Sequence, residues 1–461
     1  MRKFWGVLAI GVTMFAAPMA RAESLADALI AAYRNSNLLK QNEAVLRAAD
    51  EGVAQAVAAL RPVIQWAATA DWGRSGSAES TLFSNRDTGF SSSLGLSASL
   101  TLLDFGRNRL GIEIAEQSVR AARQALVGVE QNVLMTAVQA YVDVSLRTSI
   151  VALRESNVEL ITQELRATSD RFEVGEVTRT DVALAEAALA QARSGLAAAQ
   201  GAYNVAREAY KAATGKYPGR LAGLPRLPAT AGSIEAARDV ALRTHPNILQ
   251  AQLLVKVADL QVELSKTQMS PTLNGRAALT ENSVTDAGGV DSQSLSLSLD
   301  QTIYAGGRLA SFVRQALALK DQQRSSLNQT VVLVDQLVGQ SWANIAVSRA
   351  SIVAGDEQIR AAQVAFEGVR EEAALGARTT LDVLSAEQDL LDARALRLEA
   401  EANLYVAVYQ LLSAMGLLTA EHLQLGIPTY DVDSYYRAVR NAPAHSAQGQ
   451  KLDRILKAIG N

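Results

Sequence analysis

The side chains that ordinarily carry chemistry are scarce in this chain and poorly grouped. There is no cysteine, so thiolate catalysis, thiolate metal sites, disulfides and an N-terminal lipid on cysteine are excluded. Three histidines occur. His245 stands before Pro246 at an expected helix bend, and His422 and His445 lie near the C-terminus without companions. No nucleophile motif, phosphate-binding glycine loop or metal-ligand cluster stands out, so neither an enzyme nor a cofactor is expected. What remains is charge. Arg378 and Asp382 are four apart, which places them on one helix face. An arginine beside a carboxylate makes a charge-assisted hydrogen bond. Such groups hold structures together rather than make bonds, and taken alone these two read as a solvated helix pair.

The elements that position them come in two copies. Gly106 and Gly307 are 201 residues apart, as are Arg107 and Arg308, Gly175 and Gly376, Asp181 and Asp382, and Gly215 and Gly416. A constant offset of this kind is the mark of an internal repeat. Between the landmarks Ala137, Val144, Val151, Val158, Leu165 and Phe172 recur every seven residues, and Val338, Ile345, Ile352, Ile359, Phe366 and Ala373 do the same. Sevenfold spacing keeps one seam against a partner helix. Val119, Leu126 and Val133 keep the period in a phase shifted by four residues. From Gly106 to Gly175, and from Gly307 to Gly376, is 69 residues. As one helix that is a rod of about 100 Å. Each rod turns and returns through an alanine-rich helix of about half its length, ending at Gly215 or Gly416. Further helices are expected over 24–60 and 234–269, closed by Pro62 and Pro271.

Between each proline and the next landmark glycine lies the only good strand pattern. Phe90, Leu94, Leu96, Ala98, Leu100 and Leu102, with Ser92 the exception, alternate with Ser91, Ser93, Gly95, Ser97, Ser99 and Thr101. Leu295, Leu297, Leu299 and Ile303 alternate with serines and Asp300. The partner strands run from Ile64 to Trp72 and from Leu273 to Leu279, with polar loops over 73–89 and 281–291. Short alternating strands joined by polar loops suit an outer-membrane barrel, with Trp66, Trp72 and Phe90 as interface aromatics; a half-buried soluble hairpin pair is the alternative. Four strands cannot close in lipid without unpaired edges, whereas three subunits would supply twelve.

Arg2 and Lys3, the apolar stretch from Phe4 to Phe15 and the small residues at Ala20-Arg21-Ala22 read as an export label cut after Ala22. Removing its three cationic residues leaves 41 basic against 47 acidic, a net charge near −6, which excludes a broadly basic nucleic-acid surface. Only 5% of the 461 residues are aromatic and nine are proline, a composition that fits long, closely packed helices.

Phe105-Gly106-Arg107 and Tyr304-Ala305-Gly306-Gly307-Arg308, with the paired turns Arg171 to Val182 and Leu375 to Leu384, resemble the TolC-like outer-membrane efflux family over nearly the whole mature chain. The resemblance implies a mainly α fold with a small β part: a trimeric α-barrel of long coiled-coil helices capped by a 12-stranded β-barrel, four strands per subunit. The expected divisions are a signal peptide over 1–22, a first repeat over 23–232 and a second over 233–427, with a tail over 428–461. Within the repeats, strand pairs are expected at about 62–103 and 271–304, and long hairpins at 106–215 and 307–416. The tail, with a short helix over 451–459, is expected to wrap the tunnel or to be unstructured. The resemblance also implies a homotrimer in outer-membrane lipid, projecting into the periplasm and working with a periplasmic adaptor and an inner-membrane transporter.

On that pattern Arg378 is the gate arginine, linking to a neighbouring hairpin through Thr180 and Asp181, and Asp382 forms an acidic ring. Val174, Gly175, Leu375 and Gly376 are adaptor-docking tips, and Gly106, Gly306 and Gly307 are swivels between barrel and tunnel. This chain departs from the pattern with Ala373 where a tyrosine is common and with Ser385, followed by Glu387, where a second aspartate is frequent. Glu176 also follows the first tip glycine. A looser, less acidic iris is expected. A non-pore periplasmic coiled-coil adaptor or scaffold is the alternative function.

Overall fold

A computed structural model of the chain describes residues 22–76, 86–284, 288–442 and 454. Residues 1–21 of the expected export label, parts of both strand-connecting loops, His445 and, apart from residue 454, the helix expected over 451–459 lie outside them. Two helices, α1 (Leu25–Asn35) and α2 (Asn37–Ala58), lead into strands β1 (Val63–Gly76) and β2 (Arg86–Leu103). A long helix α3 (Arg107–Glu173) then returns as α4 (Arg179–Thr214). The plan repeats as α5 (Ile234–Thr244), α6 (Pro246–Thr267), β3 (Thr272–Val284), β4 (Gly288–Asp300), α7 (Arg308–Ala374) and α8 (Thr380–Ala414), and α9 (Val432–Val439) follows. Both long helices contain 67 residues.

The helices expected over 24–60 and 234–269 are each two helices. Ser36 is extended (φ −65°, ψ 114°) and caps α2, its hydroxyl accepting from the Leu39 amide. His245 is extended as well (φ −67°, ψ 122°), because the Pro246 ring clashes with a helical residue before it. The strands also run further into the polar stretches than their alternation foretells. β1 and β2 stay paired out to Gly76 and Arg86, because a backbone ladder continues where side chains cease to alternate.

The strands form one antiparallel sheet in the order β1-β2-β3-β4, so the β2–β3 ladder joins the two halves of the chain. The register puts Ile64, Ala98, Ala277 and Leu295 in one cross-strand row, and Trp66, Leu96 and Leu279 in the next. Leu297 and Leu299 extend the same face, which is open: Trp66 is 68% exposed and Leu295 85%. A bulge at 101–103 ends the ladder just before α3.

The chain divides into two compact units. One gathers Tyr33–Thr136, Pro228–Asp356 and the chain from Asn403 onward. Its core includes Val119, Leu126, Val133 and Leu134 of α3 with Leu411, Leu412 and Leu418, all buried. Gly416, with φ 75°, ends α8 so close to α5 that a Cβ there would lie 2.6 Å from the Thr244 carbonyl oxygen. The tail helix α9 is fastened in this unit: Tyr435 donates to Glu51 at 2.6 Å, and Asp433 pairs with Arg123 at 2.8 Å. Nearby, Asp50 is fully buried.

The other unit comprises the described residues up to Ala32, Ala137–Leu227 and Glu357–Ala402. Glu23 is its anchor, bridged to Leu221 with its carboxylate accepting from Tyr210 at 2.8 Å and paired with Lys216 at 2.8 Å. The same unit holds both helix–turn–helix tips.

Candidate functional site

Each tip is built by the same local rules. At the end of α3 Gly175 takes φ 81°, its amide donates to Phe172 O at 3.0 Å, and Glu176 N donates to Arg171 O at 2.9 Å. Gly376 repeats this at φ 76°, with bonds to Ala373 O at 3.1 Å and from Ala377 N to Glu372 O at 2.9 Å. This pair of bonds satisfies the last helical carbonyls, and the left-handed residue it needs is strained for anything but glycine. Val174 and Leu375 project outward, 72% and 86% exposed.

The returning helices start with reciprocal caps. Thr178 N and Oγ1 donate to Asp181 Oδ2 at 2.9 and 2.7 Å, and Asp181 N donates back to Thr178 Oγ1 at 3.3 Å. Thr379 and Asp382 form the same box with distances of 3.0, 2.9 and 3.3 Å. These bonds to the ionised form hold both aspartates below the usual carboxylate range. Asp382 is thus a cap as well as a pore-ring candidate. Thr180 is exposed on the first turn of α4.

Arg378 Nε donates to Glu372 Oε2 at 2.8 Å within its own hairpin. That bond, with the Glu372 and Asp382 charges, holds the guanidinium above its usual range. At the other tip Arg171 Nε donates to Glu176 Oε2 at 3.2 Å.

Two polar ties connect the hairpins inside this unit, and motif reasoning found neither. Arg370 of α7 pairs with Glu164 of α3 at 3.1 Å. Asn157 Nδ2 of α3 donates to Glu387 Oε1 of α8 at 2.7 Å. Glu387 is 2% exposed, and its Oε2 has no hydrogen-bond partner among the described residues. Burial pushes its carboxyl up to about 7, against the opposing pull of Asn157; Glu164 adds to the rise and Arg370 counters it. Around them Phe366, Ala373, Val383 and Leu390 form an apolar cluster completed by Leu160 and Ile359. Ala373 is buried there, whereas Phe172, its counterpart 201 residues earlier, is 43% exposed. The space beside Ala373 is a cavity lined by Thr168, Arg171, Arg370 and Val383. The available signal was positional: Glu387 falls four residues after Val383 and three before Leu390, a seam position where a carboxylate is out of place.

In the other unit, the turns that open α3 and α7 are left-handed at two successive residues. These are Phe105 (φ 52°) and Gly106 (φ 88°) in one, and Gly306 (φ 60°) and Gly307 (φ 84°) in the other. Asp104 caps the first, accepting from Gly106 N at 2.9 Å and Asn108 N at 2.8 Å, and Arg107 donates to Thr267 O at 3.0 Å.

Against known proteins, the family model described as outer membrane efflux protein matches residues 29–216 and 237–417. The chain is 34% identical to the outer membrane efflux protein BepC of Brucella suis over 432 residues, covering 93% of each chain. It is 25% identical to the outer membrane protein TolC of Escherichia coli over 64% of this chain and 63% of that one. The crystal structure of the outer membrane protein VceC of Vibrio cholerae shares the fold at a TM-score of 0.72 and 20% identity, covering 85% of this chain and 96% of that one.

Proposed function

We propose, because the chain belongs to the outer membrane efflux protein family, that it is the outer-membrane channel-tunnel of an export machine. It conducts cargo across periplasm and outer membrane and catalyses no reaction. The observation that carries this reading is the sheet: four strands with one continuous exposed apolar face and an unpaired edge at each end. In lipid such edges must be paired. Three copies joined β4 to β1 close twelve strands, an even number as such barrels require. The exposed apolar residues of α7, including Val332, Leu333, Val347 and Val353, support a homotrimer in which neighbouring copies cover them.

The tips are the gate. Arg378 exchanges its own Glu372 for Thr180 and Asp181 of the adjoining hairpin, and Asp382 from three subunits forms an acidic constriction that favours cations. The tip opens as an iris when a periplasmic adaptor, docked at Val174, Gly175, Leu375 and Gly376, and an inner-membrane transporter engage it. Gly106, Gly306 and Gly307 are the swivels between barrel and tunnel. Small molecules and secreted proteins both remain within reach of a tunnel without a selective chemical site.

The test is reconstitution of the purified protein into a planar bilayer. Trimers in detergent and discrete conductance steps, enlarged by Arg378→Ser, are expected. Monomers without conductance would favour the non-pore periplasmic scaffold.

A further inference from the structure

We propose that Glu387 is a proton-operated clamp between the two hairpins of a subunit, seating α8 on α3 when protonated and loosening that seam when ionised. The inference rests on the channel reading, since α8 carries Asp382 five residues before Glu387 and begins two residues after Arg378.

The geometry makes this carboxyl unlike the other acidic groups of the tip. Asp181 and Asp382 are at helix starts, bonded by backbone and hydroxyl donors, and stay ionised. Glu387 instead points into packed side chains, between Val383 and Leu390, which are 5% and 4% exposed. Among the described residues it receives one hydrogen bond, from the uncharged Asn157 amide at 2.7 Å, and its second oxygen has no partner. A buried carboxylate with so few donors is costly. A proton removes most of that cost while leaving Oε1 to accept from Asn157.

The charged groups facing it are Glu164 on α3, which opposes ionisation, and Arg370 on α7, which favours it. Arg370 cannot serve as a full counter-charge because it is bonded to Glu164 at 3.1 Å. Asn157 and Glu387 belong to different hairpins, so expelling an ionised Glu387 toward water separates the elements whose relative movement sets the width at the tip. Acid therefore tightens the tip and mild alkali slackens it. A periplasm that acidifies with its surroundings would close its own export route.

The deciding experiment measures resting conductance of the wild type, Glu387→Gln and Arg378→Ser in planar bilayers from pH 5.5 to 8.5. Wild type is expected to rise several-fold across this range, centred near neutral pH. Glu387→Gln, permanently uncharged and close in shape, is expected to stay at the low-pH level throughout; Glu387→Met serves as a second uncharged variant. A pH step that survives in both variants overturns the clamp. If Arg378→Ser shows no pore at any pH, the channel reading fails, and amide exchange of residues 383–391, corrected for its intrinsic pH dependence, decides the clamp alone. Protection lost with rising pH in wild type and kept in Glu387→Gln supports it, and equal behaviour of the two overturns it.

Discussion

Arg171 and Glu372 occupy the same position in the two tips, 201 residues apart, and carry opposite charge. Each ties down the turn that follows it, Arg171 through Glu176 at 3.2 Å and Glu372 through Arg378 at 2.8 Å. The repeat has kept the staple and inverted its polarity. In the second tip the cation therefore follows the turn glycine and stands just before α8.

If Arg378 closes the tip as proposed, Glu372 competes with the neighbouring hairpin for it and acts as a brake on closure. Replacing it by Gln frees Arg378 for Thr180 and Asp181 of the neighbour, so resting conductance should fall, by no more than about fivefold because such exposed pairs are weak. Arg378→Ser should raise conductance, and the double variant should match Arg378→Ser. A rise in Glu372→Gln would mean that the intrahairpin staple itself keeps the tip shut.

The open face of the sheet predicts a defect that appears only in membranes. Leu297 is 69% exposed in the chain, so Leu297→Arg should leave helical content unchanged. In lipid an arginine near the midplane of a barrel costs about 2–4 kcal/mol. The variant should be recovered in soluble or aggregated form with strongly reduced insertion into liposomes. Normal insertion would show that this face does not meet lipid.

Asp50 makes stability depend on pH in the acid range. Burial pushes its carboxyl from 3.8 up to about 6, with Arg123 opposing and Glu51 and Asp433 adding. A raised carboxyl means that the folded state holds the proton more tightly. Stability from this group is full below about pH 4, declines as pH rises toward 6, and stays lower above, a difference of about 2–3 kcal/mol. Asp50→Asn should flatten that part of the thermal-unfolding profile and raise the midpoint at neutral pH. An unchanged profile would mean that Asp50 gains solvent or a partner in the assembled protein.

Gly416→Ala tests how tightly the end of α8 meets α5. The new methyl would stand 2.6 Å from the Thr244 carbonyl oxygen and 2.8 Å from His245 Cα, at φ 75°. Backbone on both sides cannot yield cheaply, so a loss of at least about 2 kcal/mol is expected. Thermal unfolding should show it, whereas Gly368→Ala, inside α7 with nothing within 4 Å of the added Cβ, should instead stabilise by about 0.5–1 kcal/mol.

The large elements were legible because their signals are long. A seam from Ala137 through Phe172 cannot be mistaken for a strand, and Val119, Leu126, Val133, Ala137 and Val144 are buried on both sides of the four-residue phase shift. Short breaks were less visible: Ser36 interrupts a good helical pattern with an extended backbone and a hydroxyl that caps the Leu39 amide. At the tips, glycine spacing located the turns, yet the partner of Arg378 was not in the motif. Glu372 meets it because the turn folds six residues back on themselves, and a resemblance carries no side chain that its pattern lacks. Asn157 and Glu387 were hidden for a related reason. They are 230 residues apart in the chain, and only packing brings an amide from one hairpin to a carboxyl of the other.

The ladder between β2 and β3 leaves each subunit with two unlike free edges, β1 and β4, and that has a genetic reading. In the proposed trimer, copies that join β4 to β1 add head to tail, so every joint in the ring would need one sound edge from each of two different chains. An allele that blunts only the free edge of β4 would still offer a good β1 and enter rings with normal partners. In a cell making both chains equally, about one ring in eight would consist of normal chains alone. Such an allele would act dominantly, while a chain unable to fold at all would be silent.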